Sequence, residues 1–207
     1  MNNLKNKLIV TISILVVLLC KSCGSSELKD DQLSSFMLGG IYFMHGYGGV
    51  ENTKKMISDA GYTSNSDIVS GYKEIFEFPF DSSQKIQLIK VLKDWWEITD
   101  KASLLKETEI LKTRDYKYKS WDYARIVNNA AIGYGAGYLT KEEVIDIITE
   151  ILPLARKDYK NWDEYHKDFN LGRADWDSEA EQSEEYENIA NNITKGDDSI
   201  YKILPLN

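Results

Sequence analysis

The sequence predicts an all-α fold, and three observations carry that prediction. From Leu33 onward apolar residues recur at steps of three and four, the spacing that turns one helix face toward a core. Three pairs have the spacing of a capping box, each just ahead of such a stripe: Thr140 with Glu143, Asn161 with Glu164, and Ser178 with Glu181. Alternating runs bounded by hairpin turns are missing, and IYKIL at 200–204 is the one stretch that would serve as a strand. The expectation is a single compact domain of about eight helices.

The elements follow in chain order. Leu33, Phe36, Ile41 and Met44 are spaced for a first helix that ends at His45 beside a glycine cluster. TKKMISDAGY is a short second helix closed by Gly61. In SDIVSGYKEIF, Ile68, Tyr72, Ile75 and Phe76 share one side, and Pro79 stops the run because it lacks an amide donor and crowds the turn before it. Ile86, Ile89, Leu92 and Trp96 form the next stripe. ITDKASLLKETEILK follows with a cap at Thr99 or Asp100, and after a charged stretch Ser120 is expected to cap SWDYARIVNNAAIGYGAGY. The three boxed starts then lead into stripes at Val144–Leu152, Trp162–Phe169 and Tyr186–Ile193. Pro153 lies late in the first of these and should kink it.

The first 22 residues are set apart from the fold. Lys5 and Lys7 make a positive start, Leu8 to Leu19 is a 12-residue apolar run, and small and polar residues follow, the three parts of a secretory signal. The run is short for a membrane span, which takes about 20 residues. Two cysteines, Cys20 and Cys23, stand at its exit. Ser22 before Cys23 and Gly24, Ser25 and Ser26 after it resemble a bacterial lipoprotein signal, in which the cysteine after a small residue receives the lipid. The resemblance implies that Cys23 is the lipidation site and that Cys20, preceded by Leu19, is discarded with residues 1–22. A plain secretion signal or an uncleaved anchor is the alternative. The expected organisation is therefore 1–22 signal, 23–32 lipidated cysteine and polar tether, and 33–207 helical domain. A mature chain with one cysteine has no internal disulfide partner, so its stability must come from its core.

The charge balance narrows the partners. The chain has 33 acids against 25 lysines and arginines, a net charge of −8, and loss of the signal's three lysines leaves −11. Such a domain repels nucleic acid and anionic membrane surfaces. Attachment is therefore expected through lipid on Cys23, with a protein as the partner. Stable anchoring takes more than one acyl chain, which the multiply acylated cysteine of a lipoprotein, palmitate included, would provide. Gly24 stands where an aspartate would favour retention at the inner membrane in some bacteria, so the expected location is the outer membrane of a Gram-negative cell envelope.

Residues 95–176 carry a second resemblance. A tryptophan and Ile-Thr-Asp precede one helix, an Asp-x-x-Arg helix runs into Gly-Tyr and an acid-rich helix start, and a tryptophan-acidic segment leads to an aromatic-x-x-Gly-Arg-x-x-Trp ending. These fall on Trp96, Asp122, Arg125, Gly137, Tyr138, Glu143, Trp162, Phe169, Gly172, Arg173 and Trp176. Together they resemble the bacterial domain of unknown function 1266 family. That resemblance implies a helical domain and brings no reaction, substrate or cofactor.

Candidate chemistry centres on Asp122, Arg125 and Asn129, whose offsets of three and four place them on one helix face. Small residues from Ala130 to Gly137 surround that face, so other helices can approach closely and this should be the central helix. A charged pair there, with Arg173 as a further member, needs mutual satisfaction because an unpaired buried charge is costly. It is either a structural ion-pair network that fixes helix register or a polar pocket in which two arginines take an anionic ligand or a partner's carboxylate. Metal ligation has little to build on: His45 and His166 are far apart, and no His-Glu-x-x-His or cysteine cluster occurs. No Gly-x-Ser-x-Gly elbow is present, and HGYGG lacks the Lys-Ser/Thr of a phosphate loop. The tryptophans are read as packing, with exposure of several together as the sign of a partner surface. The sequence thus favours a non-enzymatic, lipid-anchored interaction module of adaptor or immunity type, without cofactor or metal. The rival is a small-ligand receptor or enzyme around Asp122, Arg125 and Arg173.

Overall fold

The computed structural model describes residues 28–177 and 182–207, with α-helices and no strand among them. The signal, Cys20, Cys23 and the Ser178–Glu181 pair lie outside the described residues. The helices are α1 (Asp31–Met37), α2 (Gly40–Gly46), α3 (Val50–Asp59), α4 (Asn65–Phe76), α5 (Lys85–Trp96), α6 (Lys101–Thr113), α7 (Lys119–Gly135), α8 (Lys141–Asp158), α9 (Trp162–Asp177), α10 (Ser183–Asn192) and α11 (Ile200–Ile203). No helix among the described residues is long and apolar enough to cross a membrane.

The all-α class holds, and the helix count exceeds eight for identifiable reasons. The expected first helix is two, α1 and α2, interrupted at Leu38–Gly39. A side chain on Gly40 would run into Tyr201 and Phe76, so the chain passes too close to its neighbours there for anything larger. The IYKIL stretch is not a strand but the single turn α11, capped by Ser199, whose hydroxyl accepts from the Tyr201 amide. The domain also starts earlier than the expected Leu33: the Asp30 carboxylate accepts from the Leu33 amide at 2.9 Å and caps α1.

α7 is the central helix. It packs against α5, α6, α8 and α9, and most of its residues are buried. The small residues make this possible: a side chain on Gly133 would strike Leu104 of α6, and one on Gly135 would strike Leu88 of α5. α1 lies on α8 and α4, α10 on α9 and α2, and α11 on α4. One core runs through the whole, from Leu33 and Phe36 through Ile126 and Val127 to Phe169 and Leu206.

Three local expectations need correction. Ser120 does not cap α7: the helix starts one residue earlier, and the Ser120 hydroxyl donates to Asp168 of α9 at 2.9 Å. Ile86 is 83% exposed and outside the buried stripe of α5, where Leu92 is buried as expected and Leu88, which the expected stripe left out, meets Gly135. The Asn161 side chain accepts from the Glu164 amide as expected, but Glu164 reaches back to the Lys160 amide rather than to that of Asn161. The Thr140–Glu143 box is complete, and Asp100 caps α6 with Ser103 returning the bond. α8 runs unbroken through Pro153.

Candidate functional site

The site grows from one buried carboxylate. Asp122 sits in the first turn of α7 with no exposed surface. Three cations converge on it. Arg114, just past the end of α6, donates from Nε to Oδ2 at 2.9 Å and from Nη2 to Oδ1 at 2.5 Å. Arg125, one turn along α7, donates from Nη2 to Oδ1. Lys119 Nζ lies 3.4 Å from Oδ2 and also donates to the carbonyls of Leu111, Lys112 and Arg114, the open end of α6. A cation at that end meets the negative pole of the helix dipole.

Aromatic rings enclose the arginines. The Arg125 guanidinium lies 3.6 Å from the centroid of Trp121 and 5.3 Å from that of Trp96, and Arg114 lies 4.4 Å over Tyr116. Stacked guanidinium–indole contacts contribute about 0.5–2 kcal/mol each, more as they are desolvated. Burial pulls the Arg125 pKa below its ordinary value, with Asp122 among the charges that resist the fall. Burial likewise raises the Glu107 carboxyl, against the opposing pull of Arg125 and Arg114. Trp121 continues outward to Trp176, ring to ring at 5.9 Å, and Trp176 is 53% exposed.

Gly172 explains why α9 can come this close. A side chain there would lie 2.8 Å from the Trp121 Cβ and 2.9 Å from the Tyr118 Cβ. The Tyr116 hydroxyl donates to the Gly172 carbonyl at 3.2 Å and lies 3.1 Å from an Asp175 oxygen, and burial with that carboxylate pushes its pKa up to about 12.

Asp122 and Arg125 are thus joined as the sequence predicts, but the other expected members are not. Arg173 lies over the Tyr186 ring of α10 at 4.3 Å rather than at Asp122. Its link to the network runs through Tyr42 of α2, whose hydroxyl feels both Arg125 and Arg173. Burial outweighs both and keeps that phenol protonated. Asn129 is buried on α7, with neither side-chain nitrogen nor oxygen hydrogen-bonded among the described residues. Sequence reasoning missed Arg114 and Lys119, which sit in the charged stretch 112–119. The available signal was position: cations at the end of one predicted helix face an acid in the first turn of the next.

A second polar knot lies on the same helix start. Asp168 accepts from the Ser120 hydroxyl and from Tyr159 at 2.5 Å, tying α7, α8 and α9 together. His166 is buried among Trp162, Tyr165 and Tyr201. Burial drives its pKa down to about 4, with the Trp162 carbonyl and Asp163 opposing only in part. Among the described residues no group of three His, Cys, Asp or Glu side chains could hold a metal ion.

Residues 107–206 match the model of a family described as a protein of unknown function, DUF1266. The chain carries a DUF1266 domain. It takes in Asp122, Arg125, Asn129 and Arg173 with all of α7 to α11, whereas Trp96, at the start of the expected resemblance, stands outside the matched segment. No curated protein and no solved structure matches the chain. Within the DUF1266 domain the Gly-Arg pair has two separate uses: Gly172 admits α9 against α7, and Arg173 reaches α10.

Proposed function

We propose that this DUF1266 protein is anchored in the bacterial cell envelope by lipid on Cys23, at the outer membrane, and acts there as a non-enzymatic interaction module. The observation that carries this reading is the row Trp96–Arg125–Trp121–Trp176. Its one charge, Arg125, is already committed to Asp122, and its outer end is a half-exposed tryptophan. Exposed tryptophan backed by arginine is the composition of a binding hot spot. An adaptor or immunity role fits a domain of net negative charge that takes a basic protein partner.

The test is crosslinking and recovery of the tagged protein from its native membranes, beside Cys23→Ala and Trp176→Ala. One stoichiometric partner, lost with Trp176→Ala and weakened by salt, supports the module. Wild-type protein that is membrane-bound but recovers no partner sinks it. Release of Cys23→Ala from the membrane supports the anchor, and unchanged attachment refutes it.

A second reading keeps a small-ligand or enzymatic site around Asp122, Arg125 and Arg173. It is favoured by the excess of cations, three on a single buried carboxylate. Saturable binding of inorganic phosphate that disappears in Arg125→Ala would support it, and absence of binding by the wild type would remove it.

A further inference from the structure

We propose that a cavity between α3, α4 and the turn before α11 binds a small aliphatic amino acid. The cavity is far from the Asp122 network in sequence and holds about 210 Å³, lined by Lys54, Ile57, Tyr62, Ile68, Tyr72 and Asp198 among others. Drug-sized ligands occupy roughly 300–1,000 Å³, so this volume fits a smaller molecule.

Its polar groups are asymmetric in a useful way. Lys54 Nζ donates to the Lys195 carbonyl at 2.8 Å and to Asp198 Oδ1 at 2.7 Å. An ammonium has three donors, so one remains. The Tyr72 hydroxyl is buried and makes no hydrogen bond among the described residues, while its ring is fixed edge-on against Phe76 at 5.1 Å. Burial, with the charge of Asp198, pushes the Tyr72 pKa up, so the hydroxyl stays a donor. The Tyr62 hydroxyl is already spent on Glu74 at 2.7 Å. Two donors thus remain for an anionic group, and the second oxygen of Asp198, which is half-exposed, remains as an acceptor for a cation. Ile57, Ile68 and the Tyr62 ring supply an apolar wall. A carboxylate, an ammonium and an aliphatic side chain on one small molecule meet all three.

The backbone is shaped around this arrangement. Gly196 has φ +86°, and a side chain on it would lie 2.5 Å from Asp198 Oδ1 and 2.8 Å from Lys54 Nζ. Only glycine there allows the turn to present both the Lys195 carbonyl and Asp198 to the lysine.

The experiment is calorimetric titration of the full-length protein with L-leucine, 4-methylpentanoate and 3-methylbutylamine, repeated on Tyr72→Phe and Lys54→Met. Leucine should bind saturably, and each one-ended analogue about tenfold or more weakly. Tyr72→Phe keeps the ring and removes only an unbonded hydroxyl, so it should fold as the wild type does and bind leucine about tenfold or more weakly. Lys54→Met, with its fold checked by circular dichroism, should lose binding. No saturable binding of leucine by the wild type up to on the order of 10 mM would overturn the proposal. So would undiminished binding by Tyr72→Phe, or an analogue as tight as leucine.

Discussion

Arg114 forks onto Asp122 across the α6–α7 junction, meeting one carboxylate oxygen from Nε at 2.9 Å and the other from Nη2 at 2.5 Å. Asp122 is fully buried, so this fork and the Arg125 bond are what make its charge tolerable. Breaking a buried pair costs about 3–5 kcal/mol because the remaining charge is stranded. Asp122→Ala should therefore be among the most destabilising single changes on α7, leaving three cations clustered without their acid. Arg125→Ala should approach the same loss. Urea unfolding of the two variants checks both losses. An Arg125→Ala protein as stable as the wild type, or more so, would mark that arginine as functional rather than structural.

His166 makes stability depend on pH. Its pKa is about 4 in the folded chain, below the ordinary 6.5, because burial among Trp162, Tyr165 and Tyr201 opposes the charged form. Between those values the unfolded chain holds a proton that the folded chain does not, so protonation favours unfolding. The histidine's contribution is complete above pH 6.5 and is lost progressively as pH falls toward 4, by roughly 3 kcal/mol in all. Thermal melts of wild type and His166→Phe from pH 4 to 7 should diverge in slope, with the phenylalanine variant losing less over that window. Parallel curves would show that His166 is not the group responsible.

The start of α8 is held from two directions. The Thr140 hydroxyl accepts from the Glu143 amide, Glu143 returns a bond to the Thr140 amide at 3.0 Å, and Glu143 also pairs with Lys101 at the start of α6. Thr140→Ala removes the cap and should cost about 0.5–2 kcal/mol. Lys101→Ala removes only a partly exposed pair and should cost about 1 kcal/mol or less. Chemical denaturation of both variants would check the difference, and a larger loss in Lys101→Ala than in Thr140→Ala would mean that the ion pair rather than the cap fixes this helix start.

Much of the fold was legible because it is written in local signals. The stripes of α8, α9 and α10 are buried as the spacing required, and the Thr140 cap is where the box placed it. The site was legible only along one helix. Asp122 and Arg125 share α7, so periodicity paired them, whereas Arg114 reaches Asp122 from another helix and no helical period connects the two. Arg173 was misplaced for the same reason: its partner ring, Tyr186, is on α10, and which neighbour a side chain meets there is set by the packing of α9 on α10. The same non-local packing hid the break in the first helix, which depends on Tyr201 and Phe76 rather than on the glycines alone.

Trp176 is the residue on which the interaction reading stands or falls. Half of it is exposed, and its ring leans on Trp121, which in turn covers Arg125. Truncation of a surface residue usually changes stability by about 0.5 kcal/mol or less, and loss of one ring contact adds about 0.5–1.5 kcal/mol. Trp176→Ala should therefore fold normally while weakening a partner that docks on it by a factor of about 30 or more, the scale of a hot-spot loss. Trp95, exposed at 73% on α5, makes the matched control. Affinity measured for both variants separates a specific seat from general stickiness. A loss confined to Trp176→Ala places the partner at the end of the tryptophan–arginine row, whereas equal losses in both would mean that exposed indole alone, and not the Arg125 stack behind it, holds the partner.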